Sequence, residues 1–463
     1  MKTIRVLAPL FALITLAGAA AAQETVSTQD TTLDLGLVLG DDESGGLTLT
    51  SGKTYNRVEG LPIHFGPTYH GRVGNGYLSL SALGIIRTAQ NLHWDPENLG
   101  HRLRADLRFG RRRGFSFGAE SFDVVTKIEP WQLSEPDGGL AAFFLKRDYF
   151  DWFGRHGARV YASAFRSSAS ITLGYSDERW SSRRARDVYS LFRGDDSWRD
   201  NSPINDGRAH VTDLTLHVDT RNSAYDPDAG WFVDVQYEHA VGDFETQGTL
   251  LEATRADGRS HLDYGRALLD LRRYNRISPR RKLNARLVIG GWLHGDPLPA
   301  QRRFSVGGIG TIPGFDFRRL GLGTDVGQCS TEETVRPGRP AECERVALAQ
   351  VEYRQELPSE LFDVFNRNRI RVRGAVFRVK PEVVAFADAG RGWLISDIRC
   401  GGSAAACTGR ELQYKSGSLP GLDTFRTDVG LGLDLGIAGI YVAKAVSEAK
   451  EPANFFVRIS SRF

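Results

Sequence analysis

The stretch WFVDVQYE (231–238) decides the fold class, because apolar and polar side chains alternate along it. One parity holds Trp231, Val233, Val235 and Tyr237, and the other holds Phe232, Asp234, Gln236 and Glu238. Successive side chains of a strand point to opposite faces, so the segment predicts a strand with one apolar face and one polar face. The same period of two recurs at 102–109, 211–219 and 347–356.

The length of these strands favours a membrane barrel over a soluble β-sandwich. Several alternating runs reach about ten residues, enough to cross a bilayer at a tilt, whereas soluble strands usually have about five or six residues. All backbone polar groups must be paired in a bilayer, so the strands must close on themselves. We therefore predict an all-β fold, a transmembrane antiparallel β-barrel.

We predict sixteen strands. The candidate strands from residue 61 onwards fall one short of this number, and single-chain bacterial barrels carry an even number of strands. The missing strand is expected near 188–194 or upstream of residue 55. Segment 139–153 mixes Phe and Leu with charged residues and predicts one short helix at a barrel mouth or at the membrane interface. The acidic, Gly-rich stretch 38–46 is expected to be a loose end.

Residues 1–22 have the organisation of a secretory signal peptide. Lys2 and Arg5 precede an apolar stretch, and Ala20 to Ala22 supply the small residues of a cleavage site. Export of a barrel predicts the bacterial outer membrane as its location. The balance of 59 Lys and Arg against 56 Asp and Glu gives no footprint of nucleic-acid binding. Beyond the leader no apolar run approaches the roughly 18–20 residues of a spanning helix.

The four cysteines form two close pairs, Cys329 with Cys343 and Cys400 with Cys407. Exported proteins meet oxidising conditions, so the pairs predict two disulfides that staple loops. Four cysteines nevertheless allow three connectivities. Zinc is the alternative, but neighbouring His residues and the short CxxC spacing of zinc sites are missing from the sequence. We expect no metal and no other cofactor.

The last residues predict the final strand of the barrel. One parity holds Phe455, Val457, Ile459 and Phe463, interrupted by Ser461, and the other holds Phe456, Arg458, Ser460 and Arg462. A terminal aromatic residue on an alternating last strand resembles the signal by which outer-membrane proteins are handed to their assembly machinery. We therefore predict that Phe455, Val457, Ile459 and Phe463 form a C-terminal assembly signal.

Three stretches in order resemble the BamA/TamA outer-membrane assembly family, also called the bacterial surface antigen family. They are HVDTRNSAYDPDAGWFVDVQYEHA (217–240), RFSVGGIGTIPGFDFRRLG (303–321), and the region from VALAQVEYRQELP (346–358) through VVAFADAGRGW (383–393) and TDVGLGLDLG (427–436) to Phe463. The resemblance is strongest over 217–463. It implies a periplasmic turn motif made by Asp219, Thr220, Arg221, Pro227 and Gly230.

The resemblance also implies that 303–321 folds back into the lumen. The motif residues of this loop are Gly307, Gly308, Gly310, Pro313, Gly314 and Phe315. Relatives place a motif Arg against acidic wall residues, which match Glu352 and Asp388 here, and such a charge-assisted pair would pin the loop. Pro313 stands where the family has Arg, so Arg318 or Arg319 is the candidate substitute. Alternatively, Glu352 and Asp388 are ordinary lumenal carboxylates that face Arg354, Arg371 or Arg373.

Full-length members of that family carry periplasmic POTRA modules before the barrel. Segment 23–55 is too short for one, so none is expected. The predicted organisation is a signal peptide at 1–22, a short N-terminal segment without a POTRA module at 23–55, and the barrel at 56–463.

The resemblance implies insertion or translocation of protein or lipid at the outer membrane, through a seam between weakly paired first and last strands. The implied partners are outer-membrane lipid and unfolded outer-membrane proteins or lipid clients, and the barrel is expected to be a monomer. Two alternatives stay open. One is a passive or gated pore that favours anions, with the lumenal residues Arg102, Arg104, Arg108, Arg371 and Arg373. The other is a structural or partner-binding barrel.

The sequence predicts no enzyme activity. It shows no nucleotide-binding loop and no hydrolase or metalloprotease motif. Asp148 and Asp151 flank Tyr149 and could be imagined as a catalytic pair, but their spacing is interpreted as a solvated helix face.

Overall fold

The computed structural model of the protein describes residues 44–50, 54–90, 95–193, 196–224, 226–245, 261–315, 317, 343–358, 370–372, 375–377, 381–393, 396–400, 410–414, 420–436, 438–459 and 461–463. The predicted signal peptide at 1–22 lies outside the described residues, as does most of the segment 23–55.

The described residues form twenty strands and one α-helix. The strands are β1 (Ser44–Thr50), β2 (Ile63–Val73), β3 (Gly76–Ile86), β4 (Leu99–Phe109), β5 (Arg113–Lys127), β6 (Trp152–Arg166), β7 (Ala169–Ser182), β8 (Gly207–Asp219), β9 (Gly230–Phe244), β10 (His261–Ser278), β11 (Arg281–Gly295), β12 (Arg345–Glu356), β13 (Ile370–Val372), β14 (Ala375–Phe377), β15 (Glu382–Trp393), β16 (Ser396–Cys400), β17 (Arg410–Tyr414), β18 (Arg426–Asp434), β19 (Gly439–Ala445) and β20 (Asn454–Arg458). The helix is α1 (Glu135–Leu145), and short 3₁₀ turns occur at Thr88–Gln90, Ala300–Arg302 and Leu422–Thr424.

Sixteen strands form one sheet, in the order β1 to β12 followed by β15, β18, β19 and β20. Each strand pairs antiparallel with its neighbour, while β13 with β14 and β16 with β17 form two separate hairpins. The prediction of an all-β fold with sixteen antiparallel strands and one helix is confirmed for the described part of the chain. No helix among those residues is long and apolar enough to cross a membrane.

The sixteenth strand is β1, which lies in the second of the two places suggested by the sequence. The described part of the sheet therefore begins at Ser44, inside the segment 23–55, and residues 44–46 of the stretch 38–46 belong to a strand rather than to a loose end. The other candidate, 188–194, has no strand among its described residues and runs beside α1 instead, where the Leu191 N–H donates to the Phe143 carbonyl at 2.9 Å.

The two faces of the sheet differ as the period of two predicts. Exposed apolar side chains occupy the outward parity, for example Phe65, Leu103, Phe115, Phe117, Val160, Leu173, Ile289, Leu431 and Phe455. The opposite parity carries buried polar side chains, for example Asp270, Asn284, Arg286, Gln350, Glu352, Arg354, Asp388 and Asp428. An apolar outer band and a polar interior are the usual pattern of outer-membrane barrels.

The two ends of the sheet carry unlike connections. At one end, tight turns at 74–75, 110–112, 167–168 and 279–280 join neighbouring strands, and we call this the short-turn end. At the other, the long-loop end, connections run over 128–151, 183–206 and 296–344. The connections 220–229 and 357–381 also lie at the short-turn end, and its four tight turns resemble the short periplasmic turns of outer-membrane barrels.

Helix α1 lies in the connection between β5 and β6 and is shorter than the predicted 139–153. It begins after Ser134, whose hydroxyl accepts the Asp137 N–H at 3.3 Å and so caps the first turn. It ends because Lys146 adopts a left-handed conformation with φ of 56°. An added Cβ at Gly139 would lie 2.4 Å from Thr54 Cβ, so the helix packs closely against the chain that follows β1.

The outward face can be tested at Val160, near the middle of β6, which is 56% exposed. Val160→Arg is expected to destabilise the refolded protein in lipid vesicles by about 2–4 kcal/mol, because the charge would enter the hydrocarbon region. Urea unfolding followed by tryptophan fluorescence measures this change. Val160→Leu is the matched control and should change stability little. An equal effect of both substitutions would mean that Val160 does not face lipid.

Candidate functional site

Three segments pack together on the lumenal side of the sheet. We call them the plug, and they comprise residues 54–61, 128–151 and 298–315. The Glu129 carboxylate accepts the Ser305 N–H and hydroxyl, both at 2.6 Å, and Gln132 Nε2 donates to the Ser305 carbonyl at 2.9 Å. These buried bonds join the α1 connection to the β11–β12 connection. The described part of the predicted in-folded loop therefore belongs to a larger folded unit.

The turn at the tip of the loop requires glycine. Gly307 and Gly308 have φ of 115° and 93°, a conformation that L side chains rarely adopt. The Gly307 N–H donates to Thr311 Oγ1 at 2.8 Å, and the Gly308 N–H donates to the Ile312 carbonyl at 3.2 Å. A third motif glycine, Gly310, packs so closely that a Cβ would lie 2.8 Å from the Gln132 carbonyl oxygen.

Backbone groups of the loop, rather than a loop arginine, contact the barrel wall. The Gly314 N–H donates to the Asp428 carboxylate on β18, and Gln350 Nε2 on β12 donates to the Thr311 carbonyl at 2.7 Å. The carbonyl of Pro313 accepts Asn454 Nδ2 of β20 at 3.0 Å. Phe315 is buried among core residues at the same tip. The loop is thus attached to three separate wall strands.

Arg462 contacts the acidic wall residue Asp388, where the resemblance places a loop arginine. Its guanidinium forms an ion pair with the Asp388 carboxylate, and both side chains are almost fully buried. The Arg462 guanidinium carbon lies 3.7 Å from the ring centroid of Phe386, a cation–π contact. Arg318, the candidate substitute from the sequence, lies outside the described residues.

Glu352 faces Arg354, which is the alternative arrangement considered for the wall carboxylates. It pairs with Arg354 on its own strand at 2.8 Å, and Asn284 Nδ2 donates to it at 3.0 Å. The two carboxylates that the resemblance groups together therefore have different cation partners. Arg371 and Arg373 were the other candidate partners of these carboxylates, and their side chains lie outside the described part of the structure.

Arg462 was missed because the final strand is shorter than predicted. The sequence predicts a strand over 455–463, but β20 ends at Arg458, and the residues beyond it leave the sheet. Phe455 and Val457 are exposed on the outward face, whereas Phe463 is buried. The role of these residues as an assembly signal stays a prediction. The break in alternation at Ser461 is the sequence signal that marks the change of direction.

Helix α1 contacts the end of β20. The Asp137 carboxylate pairs with Arg458 at 3.1 Å and accepts the Ile459 N–H at 2.7 Å. Arg458 in turn donates to the Arg462 carbonyl at 3.1 Å. On the other side of the helix, Thr54 Oγ1 donates to the Glu135 carbonyl at 2.9 Å. Thus α1 connects the chain that follows β1 with the last strand of the sheet.

A second buried ion cluster joins the plug segments near the long-loop end. Arg57 pairs with Asp148 at 2.9 Å and with Asp151 at 2.6 Å, and all three side chains are buried. The interpretation of Asp148 and Asp151 as a solvated face is therefore wrong. They follow α1 rather than lie on it, and they hold Arg57 in place. Nearby, burial together with Tyr189 and Asp187 raises the pKa of Tyr55 above its usual range.

The predicted turn motif makes a compact structure at the short-turn end. Both carboxylate oxygens of Asp219 accept the Arg221 guanidinium, at 2.9 and 2.7 Å. Thr220 Oγ1 accepts the Trp231 N–H at 2.9 Å, which ties the turn to the start of β9. Gly230 has φ of 116°, and a Cβ there would lie 2.3 Å from the Thr220 carbonyl oxygen. Pro227 is buried within the same turn.

The lumenal arginines of β4 have carboxylate partners. Arg102 pairs with Glu120 and Arg104 pairs with Asp106, both at 2.6 Å. Arg108 stacks over the Phe165 ring, with 4.0 Å between the guanidinium carbon and the ring centroid. Two of the arginines that suggested an anion-favouring pore are therefore neutralised within the wall.

The predicted disulfides stay a prediction. Cys329 and Cys407 lie outside the described residues, and the side chain of Cys400 is likewise not described. Cys343 is buried immediately before β12, where its backbone forms an isolated bridge with Phe304 of the plug.

Comparison with known proteins gives one family match. A model described as the Omp85 superfamily domain matches residues 153–438. BamA from Haemophilus ducreyi lacking POTRA domains 1–3 is similar at 13% identity and a TM-score of 0.48, over 91% of this chain and 70% of that chain. CdiB from Escherichia coli is similar at 10% identity and a TM-score of 0.35, over 91% and 63%. CdiB from Acinetobacter baumannii is similar at 12% identity and a TM-score of 0.33, over 90% of this chain and 60% of that chain. No curated protein matches the chain.

The ion pair of Arg462 and Asp388 can be tested by a double-mutant cycle. Arg462→Met and Asp388→Asn are each expected to destabilise the protein by about 3–5 kcal/mol, because each leaves a buried polar partner unpaired. The double variant should lose clearly less than the sum of the two. Urea unfolding in vesicles provides the free energies. Arg102→Met, at a partly exposed pair, should cost about 1 kcal/mol or less, and strict additivity of the buried pair would refute the contact.

The attachment of the loop tip can be tested at Gly314. A Cβ at this position would lie 2.6 Å from Asp428 Cβ and 2.7 Å from the Ala445 amide nitrogen, so Gly314→Ala is expected to detach the tip. Planar-bilayer recordings should then show larger or longer conductance steps than the parent protein. Gly45→Ala is the control, because its Cβ would meet only one atom, at 4.0 Å. Unchanged conductance in Gly314→Ala would show that the tip does not restrict the lumen.

Proposed function

Because the chain belongs to the Omp85 superfamily, we propose that it inserts or translocates protein or lipid clients at the bacterial outer membrane. The proposed partners are outer-membrane lipid and unfolded outer-membrane proteins or lipid clients, and the proposed working unit is one barrel. We propose no catalytic step, because insertion and translocation proceed by exposing and covering surfaces rather than by breaking covalent bonds.

The observation that carries the proposal is the pair of sheet edges at β1 and β20. These strands end the sixteen-stranded sheet, and among the described residues no ladder hydrogen bonds join them. Strand β20 is also short, with five residues, whereas β5 and β6 have fifteen each. An edge strand presents unpaired N–H and C=O groups, and in a bilayer such groups need partners. An extended client segment can supply them.

The plug supports this mechanism. Strands β1 and β20 have no ladder hydrogen bonds between them among the described residues, and a few hydrogen bonds to the plug lie near these edges instead. The Ile459 N–H, just beyond β20, is satisfied by the Asp137 carboxylate instead of by a strand. Thr54, beyond the end of β1, contacts the same helix. In the proposed cycle α1 bridges the two edges at rest, and its displacement frees them for a client.

A pore is the second candidate, and the described lumen favours it less. The plug occupies the lumenal face of several strands, and Arg102 and Arg104 already have carboxylate partners. A conducting state would require the plug to move. Conductance is therefore recorded beside client insertion, so that the two functions can be told apart.

The seam can be tested by cross-linking β1 to β20. Cysteine pairs that place one residue in Ser44–Thr50 and one in Asn454–Arg458 are introduced, and those that oxidise to a disulfide are kept. We expect the oxidised protein to insert an unfolded client barrel into liposomes no faster than liposomes without protein. Reduction should restore the rate, because the edges can then separate. Heat-modifiable migration on gels checks that the barrel stays folded.

The matched control locks β1 to β2, which the proposed mechanism leaves paired. Leu49 and Phe65 are cross-strand partners, so Leu49→Cys with Phe65→Cys provides this control, beside the parent protein under the same oxidant and reductant. The control should keep full client insertion. Full activity of the oxidised seam variants would exclude opening at this seam. Steady anion-selective conductance of the parent protein without faster client insertion would instead establish the pore.

A further inference from the structure

Two arginines face each other on the outer wall near the short-turn end. Arg113 at the start of β5 and Arg166 at the end of β6 are direct cross-strand partners, and both are exposed. Each has the outward parity of its strand, which on β5 it shares with Phe115 and on β6 with Val160. Like charges directly opposite each other destabilise a strand pair. The two arginines therefore need a negatively charged partner.

Among the described residues, no counter-charge lies near this pair. Segments 70–80, 107–117 and 163–172, which form three neighbouring tight turns and their flanking strands, contain six arginines and no Asp or Glu. The arginines are Arg72, Arg108, Arg111, Arg112, Arg113 and Arg166. The first carboxylate further along the sheet is Asp219, which has lumenal parity, and Arg221 engages both of its oxygens.

A second arginine pair on the same wall shows the contrast. Arg179 on β7 and Arg208 on β8 are also direct cross-strand partners with outward parity, near the long-loop end. There Asp177 accepts Arg208 Nε at 2.8 Å, so the chain itself supplies a carboxylate to one arginine of the pair. Arg113 and Arg166 have the same arrangement, but among the described residues no carboxylate lies within ion-pair distance of either.

The surroundings place the unbalanced pair at the edge of the lipid-facing surface. Phe109 and Phe115 are exposed cross-strand partners beside Arg113, and Arg111 and Arg112 extend the charge into the turn. Aromatic side chains concentrate where a bilayer meets water, which is also the level of the lipid phosphates. Guanidinium groups bind phosphate oxygens in a bidentate manner and more specifically than ammonium groups do.

We propose that Arg113 and Arg166, extended by Arg111 and Arg112, form a binding site for the phosphate of anionic phospholipids in the leaflet at the short-turn end. The inference rests on the membrane location within the proposed function, but not on the opening of the seam. Lipid phosphate balances the two guanidinium groups, and the acyl chains lie along Phe115 and Phe117. The site fixes the height of β5 and β6 in the bilayer.

Lipid binding to the detergent-solubilised full-length protein tests the site. Native mass spectrometry gives apparent dissociation constants for phosphatidylglycerol and for phosphatidylcholine. The parent protein should bind phosphatidylglycerol in preference, and Arg113→Gln with Arg166→Gln should weaken that binding about tenfold or more. Arg179→Gln with Arg208→Gln removes the same charge from the pair that Asp177 contacts and should leave the affinity within about twofold.

Equal weakening by both double variants would show a general charge effect and overturn the site. Displacement of the lipid by millimolar inorganic phosphate alone would identify a free-phosphate site and overturn the lipid assignment. Arg113→Lys with Arg166→Lys should recover part of the affinity. Client insertion is measured separately, so normal insertion with no lipid preference would refute this inference and leave the proposed function standing.

Discussion

The structure depends on the requirement that every backbone polar group in a bilayer has a partner. Fifteen antiparallel ladders meet this requirement along the sheet, and the two edges at β1 and β20 are where it is left open. The plug contacts the edge at β20: a carboxylate of α1 accepts the Ile459 N–H, and the Asn454 side chain of β20 donates to the Pro313 carbonyl. At Ile459 a side chain therefore provides the partner that a neighbouring strand provides elsewhere.

The wall of the barrel could be predicted from the sequence, because a period of two depends only on residues adjacent in the chain. The alternation at 231–238 fixes which side chains face lipid, and the structure agrees. The interior could not be predicted in the same way. Arg462 reaches Asp388 only because the chain leaves the sheet after Arg458, and the helix begins at Ser134, ahead of the aromatic residues that suggested it. The first feature depends on residues distant in sequence, whereas the second depends on the local cap of Ser134 and Asp137, which the pattern of aromatic residues does not show.

The buried charges of the lumen favour a particular arrangement more than they add stability. Removing two charges from water is costly, and a well-placed ion pair returns little more than this cost. Arg57 and Arg458 each reach a buried carboxylate from another part of the chain, so both contacts specify where a plug segment lies. The pair of Arg462 and Asp388 in the same way fixes the C-terminal residues against β15. A plug held in this manner has one defined resting position.

The contact of α1 with β20 also has a consequence for the order of folding. Asp137 and Arg458 are 321 residues apart, so the helix is synthesised long before its partner. Contacts of such high sequence separation form late, because the entropy of closing a long loop must be lost first. The hairpins from β2 to β9 can assemble from local pairings before α1 contacts Arg458 of β20. Packing of the interior is thus coupled to the pairing of the last strand. A folding intermediate that lacks β20 would have paired strands in its wall, but its α1 would not yet be docked.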